Sequence, residues 1–451
     1  MKLVRLHLQN FRCFDRLVVE FEPKLTVIVA ENGSGKTSIL DAIAIGFGRF
    51  LTKLPGVTGV GTKESDLLID SQEHRAPFLH LGWEVIRRDN QPLSWAGGRR
   101  RTAGIASTVI RAGISEELAQ ISTLGLKSID AYAASLAEAA DAGDAFFLPV
   151  IAYYGTNRAI REEVQRRRNF KKEFSRFDAL AGALDPDSRF KAAFEWFTAM
   201  EDVERREKES RRNFDYRLPV LDHVRSAVNR MLGDCRNPRT EIRPLRFVVD
   251  KRMPNGVIKS LRVTQLSDGY RVVLGLVMDL ARRMAQANSQ LAVDGNEIMN
   301  PLDLPVLVLI DEVELHLHPS WQQRILDDLI RTFPGAQFVV TTHSPQVLTT
   351  VDSGCIRVLA EGQLHAAPPG TKGAESSRLL KRVFGVDVRP PLDKATQELG
   401  EYLALVQADQ WTSPRAVVLR TLLDQRYQGE EPALLDADLR IENRKWELEG
   451  Q

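Results

Sequence analysis

A handful of polar residues, far apart in the chain, could together do phosphate chemistry: Lys36 and Thr37, Asp311 and Glu312, and His343. A lysine ammonium just past a glycine-rich turn neutralises phosphate oxygens, and the hydroxyl beside it is suited to Mg²⁺. Asp311 and Glu312 end the run VLVLIDE, which puts two carboxylates at one strand end. Asp311 would support Mg²⁺ through water, and Glu312 would polarise an attacking water as general base. His343 follows a second strand-like run, 338–342. The chemistry implied is capture of a nucleotide's β- and γ-phosphates and attack of water on them.

Such groups need elements that hold them. Residues 26–44 read TVIVAENGSGKTSILDAIA. The β-branched run 26–29 predicts a buried strand, Ala30, Glu31, Asn32, Gly33, Ser34 and Gly35 a tight turn, and Lys36 onward an amphipathic helix with Ile39, Leu40, Ile43 and Ile45 on one face. Backbone N–H groups of the turn and the positive helix end would cradle phosphate. Ala30 stands where the pattern has its first glycine, and it is small enough for the turn. At the other end, 306–312 predicts a strand whose carboxyl edge is where ligands of α/β sheets bind.

Between these points, residues 3–9 and 17–21 read as an antiparallel pair, and 78–87 as a strand. The segment 47–75 reads as loop, and 97–104, with Arg99, Arg100 and Arg101, as an exposed basic turn. Residues 128–142 are helical in pattern. Residues 148–154 form a strand ended by Gly155-Thr156-Asn157-Arg158, a candidate for a polar loop that senses the γ-phosphate. Residues 159–240 change character. Arg166, Arg167, Arg168, Lys171 and Lys172 interleave with Phe170 and Phe174, so 161–176 is a candidate phosphate-tracking surface for DNA. Helical spacing follows at 190–200 (Phe190, Phe194, Phe197) and at 218–232, with charge-dense 201–212 between, which together read as a helical arm. Asn255-Gly256 marks a hairpin between 245–249 and 257–263. The second of its strands leads into Gln265-Leu266-Ser267-Asp268-Gly269-Tyr270-Arg271 and a long helix. Residues 319–331 read as a further amphipathic helix.

A chain of 451 residues can bury one large or two modest cores. Its net charge of +1 provides no bulk field for nucleic acid, so any such contact must come from a local patch. Cys13, Cys235 and Cys355 are scattered without a CxxC, which fits a reducing cytoplasm and argues against structural zinc. The charged opening MKLVRLHLQNFR lacks the apolar segment of a signal peptide, and no run approaches the ~18 residues of a membrane span. The expected location is cytoplasmic.

Residues 30–37, 266–270, 306–312 and His343 resemble the Walker A, signature, Walker B and switch-histidine elements of ABC-type ATPases. The Asn10-Phe11-Arg12 opening, the LSDGY signature and the TTHSP loop are similar to the RecF/SMC/OLD-like branch. Within it, EVELHLHPSWQ and GAESSRLLKRVFGVDVRPP resemble the Septu-type antiphage defence ATPases (PtuA). This resemblance implies an α/β ABC-ATPase domain (P-loop, mixed sheet, flanking helices) built from 1–158 and 241–370, with a helical insertion at 159–240 and a helical C-terminal extension at 371–451. It implies ATP and Mg²⁺ as cofactors. The nucleotide would be held by Ala30 to Ser38, the metal by Thr37 and Asp311, and Glu312 and His343 would be catalytic. It also implies a head-to-tail homodimer sandwiching two ATPs, in which Ser267, Asp268 and Gly269 of one subunit cap the γ-phosphate on the other. The sequence departs from the family pattern at Asp268, where glycine is usual, and at His318, where the loop after Walker B often has aspartate.

Two functions share this chemistry. One is a nucleotide-gated switch regulating a separate effector, which the Septu likeness implies to be an HNH-type nuclease. The alternative is a DNA-repair or chromosome-maintenance ATPase of RecF type with no dedicated effector. A self-contained OLD-like nuclease is disfavoured because no acidic strand-end motif follows residue 370. A transporter ATPase fits poorly with the insertion and tail. The alternation of Glu314, His316 and His318 could be imagined as a metal site, but an ordinary loop between subunits accounts for it better. The helix-like stretches 396–407 and 414–425 carry apolar faces (Leu399, Tyr402, Leu403, Val406; Val418, Leu419, Leu422, Leu423). Those faces would pack on the nucleotide domain or dock the effector.

Overall fold

The computed structural model describes residues 1–158, 174–186, 190–242, 245–289 and 299–449. The basic segment 161–176 lies outside the described residues except for 174–176. The chain divides into two compact units, Met1–Leu379 and Leu380–Gln451.

The first unit holds thirteen described strands: β1 (Lys2–Phe11), β2 (Phe14–Glu20), β3 (Leu25–Ala30), β4 (Phe78–Ile86), β5 (Pro92–Arg100), β6 (Val150–Tyr154), β7 (Cys235–Ile242), β8 (Leu245–Arg252), β9 (Ile258–Arg262), β10 (Val306–Ile310), β11 (Ala336–Thr342), β12 (Ile356–Ala360) and β13 (Gln363–Ala366). They form a central six-stranded sheet in the order β13-β12-β3-β11-β10-β6, a four-stranded sheet β2-β1-β4-β5 and a three-stranded sheet β7-β8-β9. In the central sheet β12, β3, β11, β10 and β6 are parallel, and only β13 runs antiparallel to its neighbour. Every residue of β3, β6, β10 and β11 is buried. This is why these strands read as unbroken apolar runs: a parallel sheet covered on both faces has no solvent side for polar alternation. β2 sits on an antiparallel sheet and does alternate, with Phe14, Leu17 and Val19 buried.

Parallel register fixes which strand ends meet. Ile310 lies beside Val340 and Tyr154, and Thr342 lies beside Val29. The ends of β3, β11, β10 and β6 therefore line one edge in that order. The helix Lys36–Thr52 leaves the turn after β3 and runs into the segment expected to be loop. The hairpin at Asn255-Gly256 forms, closed by the Met253 N–H on the Val257 carbonyl at 2.8 Å.

Two expectations are corrected. Residues 97–100 are strand, not turn: they extend β5, where Gly98 faces His80 and Arg100 faces Phe78. Among the described strands β5 pairs on one side only, and edge strands are commonly rich in exposed charge. The described helices of the inserted segment, Lys191–Ser210 and Pro219–Met231, pack on the long helix Asp268–Ala287. Phe190, Phe194 and Phe197 are core residues there, and Arg225 bonds Glu204 at 2.9 and 3.0 Å in the charge-dense stretch. Residues 319–331 form two helices, Pro319–Gln322 and Ile325–Thr332, interrupted at Gln323 and Arg324.

The second unit has its own core. Helices Lys394–Gln407, Pro414–Tyr427 and Pro432–Glu449 bury Leu399, Tyr402, Val406, Ala416, Leu419, Leu423, Leu434 and Ala437 against one another. Asp393 and Ser413 cap the first two of these helices. Apolar positions expected to cover the nucleotide domain or a partner are thus spent mostly within this unit, while Val418 and Leu422 remain exposed. The α/β architecture expected from the sequence, a mixed sheet flanked by helices and followed by a helical extension, is the one the chain adopts.

Candidate functional site

The turn after β3 wraps toward the start of the helix Lys36–Thr52 with Gly33 and Gly35 in left-handed backbone (φ 79° and 98°). At Gly35 a side chain is doubly excluded, because a Cβ would lie 2.4 Å from the Cys13 sulfur. The β1–β2 turn is thus seated against this loop. From the same turn, Arg12 bonds Asp41 (2.6 Å) and Asp66 (2.9 Å) and approaches the Ser38 hydroxyl (3.5 Å). Tyr153 of β6 donates to the other Asp41 oxygen at 2.9 Å. The Lys36 ammonium donates to the carbonyls of Ala30 (3.0 Å) and Glu31 (2.8 Å). Burial lowers the Lys36 pKa, against the nearby negative charges of Asp311, Glu312 and Glu314. Glu31, Asn32 and Gly33 are exposed, and Ser34 is half-buried.

Across the edge, the Thr37 hydroxyl donates to Asp311 Oδ2 at 2.8 Å. The buried Thr341 hydroxyl donates to Asp311 Oδ1 at 2.5 Å and accepts the Glu312 N–H at 2.8 Å. Glu312 has left-handed backbone, φ 47°. For a non-glycine residue this costs about 1–3 kcal/mol and persists only when the surroundings over-determine it. In plain extended backbone consecutive side chains point to opposite faces. The turn at 312 breaks that alternation, and the charges of both 311 and 312 are felt at Lys36.

Two residues that the sequence did not single out for these contacts hold the surroundings. Arg158 is 1% exposed and donates to the carbonyls of Gly155 (2.9 Å), Asp311 and Glu312. Burial lowers its pKa to about 10, with Glu314, Asp311 and Glu312 pulling the other way, so it stays charged near neutrality. Glu314 accepts the His343 N–H at 2.6 Å and the Thr342 hydroxyl at 2.7 Å, which ties the loop after β10 to the end of β11. His343 is half-buried at that end. Glu314 is therefore occupied in backbone support, and His318 caps the helix Pro319–Gln322 through Nδ1. No cluster of metal-ligating side chains occurs among the described residues.

Ser267, Asp268 and Gly269 are placed elsewhere. Ser267 is the N-cap residue of the helix Asp268–Ala287, and its exposed hydroxyl makes no capping bond. Asp268 pairs with Arg271, one turn along. Gly269 lies against the loop after β10, where a Cβ would be 2.9 Å from the His316 carbonyl. Tyr270 donates to Asp234 and meets Trp321 edge-on at 4.6 Å between ring centres. Deeper along this helix, Asp279 bonds Arg282 (2.9 Å), Arg283 (2.6 Å) and the Tyr154 hydroxyl (3.0 Å), all buried. Burial alone would push the Asp279 carboxyl up, but the two arginines outweigh it and bring the pKa down to about 2. The backbone carbonyl of Tyr154 takes the Asp311 N–H at 2.8 Å, so one residue touches both the long helix and the carboxylate strand.

The described part therefore brings Lys36, Thr37, Asp311, Glu312 and His343 to one sheet edge, where oxygen donors, a cation and backbone N–H groups can meet a polyphosphate. The chain matches the AAA domain family over residues 5–218. A second AAA-domain family, tied by its description to the AbiEii toxin of a Type IV TA system, matches residues 252–349. It is 31% identical to the "Retron Ec83 probable ATPase" of Escherichia coli, over 99% of this chain and 88% of that protein. It is 26% identical to the "Retron Vc95 probable ATPase" of Vibrio cholerae serotype O1 biovar El Tor, over 80% of this chain and 74% of that one. The likeness to the Septu protein PtuA of Bacillus mycoides is more local, 32% identity over 30% of this chain and 18% of that protein. No described helix is long and apolar enough to cross a membrane.

Proposed function

The chain belongs to the retron ATPase family, within the RecF/SMC/OLD-like branch of ABC-type ATPases, and from that premise we propose that it is a nucleotide-gated switch for a separate effector. The observation that carries the nucleotide part of this reading is the bond from Thr37 to Asp311, which joins the first turn of the helix Lys36–Thr52 to the end of β10 across most of the chain. A hydroxyl and a carboxylate converging beside a lysine suit Mg²⁺, which takes one or two protein oxygens and fills its remaining positions with phosphate and water. Thr37 and Asp311 are the residues that would hold it. When bound, the metal neutralises charge on the phosphoryl oxygens.

Ala30, Glu31, Asn32, Gly33, Ser34 and Gly35 supply the loop that surrounds the β- and γ-phosphates. Lys36 and the helix start, with Ser38, balance the negative charge there. Glu312 takes a proton from the attacking water, and His343 sits at the γ-phosphate end. Ser267 and Gly269 lie at the start of the helix Asp268–Ala287 and close the corresponding site of a second copy, so hydrolysis is tied to dimer formation. The retron and Septu relatives support a role in antiphage defence; in our proposal the effector is an HNH-type nuclease whose activity the ATP state controls. A DNA contact through 161–176 belongs to the same proposal.

Glu312→Gln should keep ATP affinity while turnover falls roughly 10²–10⁴-fold, whereas Lys36→Ala should lose nucleotide binding itself. Phosphate release and fluorescent-nucleotide titration measure the two. Normal turnover by Glu312→Gln would remove it from the mechanism.

A further inference from the structure

We propose that Arg158 is a positioning residue for ATP hydrolysis: its guanidinium clamps the Asp311 and Glu312 carbonyls and so holds Glu312 in the left-handed backbone that aims its carboxylate at the nucleotide. The inference rests on Glu312 being the general base. Five hydrogen bonds fix the backbone at and beside that residue. Thr341 takes the Glu312 N–H from the β11 side, the Thr341 carbonyl takes the Val313 N–H, and the Leu315 N–H returns to the Glu312 carbonyl. Arg158 closes the opposite side from β6, with Nη1 on the Asp311 carbonyl and Nη2 on the Glu312 carbonyl.

Only arginine suits this place. Its planar fork presents two donors in fixed relation, which two successive carbonyls can accept together, and it keeps its charge when buried. Lysine carries the charge but not the fork. The same Nη1 also donates to Gly155, so the loop after β6 is locked to the carboxylate strand as one piece. Arg158 touches backbone and not the reacting atoms. Its loss should leave the turn after β3, and therefore nucleotide binding, in place. The φ of 47° at Glu312 has no intrinsic preference behind it, so with one side of the clamp gone the residue relaxes toward ordinary backbone and its carboxylate moves off line. Misplacement by about 1 Å can cost on the order of 10²-fold in rate.

The test compares Arg158→Met, Arg158→Lys and Glu312→Gln in the full chain, measuring steady-state kcat and KM for ATP and fluorescent-nucleotide affinity. Arg158→Met should lose about 10²-fold in kcat with KM and affinity within about threefold. Arg158→Lys should recover part of the loss. Unchanged kcat in Arg158→Met overturns the proposal, as does a parallel loss of nucleotide affinity, which marks a merely structural role. If Arg158→Met is insoluble, Arg158→Lys decides alone, and wild-type kcat there overturns the clamp. A dead Glu312→Gln beside a normal Arg158→Met sinks this inference only, whereas an active Glu312→Gln sinks the general-base reading beneath it.

Discussion

The edge formed by β3, β11, β10 and β6 and the start of the helix Asp268–Ala287 are built in opposite ways. At the edge the polar groups find partners in distant parts of the same chain: Thr37 on Asp311, Thr341 on both Asp311 and Glu312, Glu314 on His343, and Arg158 on two carbonyls. At the helix start, among the described residues, Ser267 makes no capping bond, Asp268 bonds one turn along, and both are exposed. One region is closed on itself, whereas at the other the Ser267 and Asp268 side chains face outward while Gly269 backs on the loop after β10. In the proposed dimer that difference is functional, because the outward end completes a second copy's site.

The strongest way to break this contrast is by mixing. Ser267→Arg should abolish ATPase while leaving nucleotide binding intact, and mixing it with Lys36→Ala should restore one working site per mixed dimer. If labelled mixed dimers form and no mixture hydrolyses ATP, the outward end does not act in trans.

A second, smaller effect concerns the link between the regions. Asp279→Asn leaves two buried arginines short of their shared carboxylate, which should cost about 3–5 kcal/mol of stability, read as a fall in melting temperature. The pH dependence has a definite sign. The folded pKa of Asp279 is about 2, below its ordinary 3.8, so its contribution is complete above 3.8 and lost as pH falls toward 2. The gap between wild type and variant in acid unfolding should narrow over that window, and a gap that stays constant from pH 5 to pH 2 contradicts the assignment.

The smallest effect is expected at Asp268. Its pairing with Arg271 is exposed, and such pairs contribute about 0–1 kcal/mol, so Asp268→Asn should barely move melting. Its kcat should stay within about threefold, since the carboxylate is already turned along its own helix. A tenfold change would show that the Asp268 carboxylate takes part in closure.

What was legible in the sequence follows the same division. The turn after β3, the VLVLIDE strand and the Asn255-Gly256 hairpin are local: each is set by neighbours within a few residues, so spacing alone reveals them. The end of β6 was recognisable as a polar turn, but Arg158 gives no local sign that it points inward, because its partners lie on β10. Glu314 looked like part of a histidine-rich loop, and only the register of β10 against β11 shows that it serves His343. Glycine and arginine concealed the end of β5, where an edge strand needs no apolar alternation. The apolar faces of 396–407 and 414–425 are visible in their spacing. Which surface they cover is a tertiary matter, and here they mostly cover each other.

Tyr154 has one further consequence. Its hydroxyl is fastened to Asp279 on the helix that begins at Ser267, and its carbonyl to the amide of Asp311. Any movement that draws this helix away from β6 must therefore pull on the hydrogen bond that shields the Asp311 amide proton from solvent deuterium. That proton is a clock placed beside the Asp311 carboxylate and wired, through one tyrosine, to the long helix. Its exchange rate records how often the two regions part company, with no nucleotide, label or partner needed to read it.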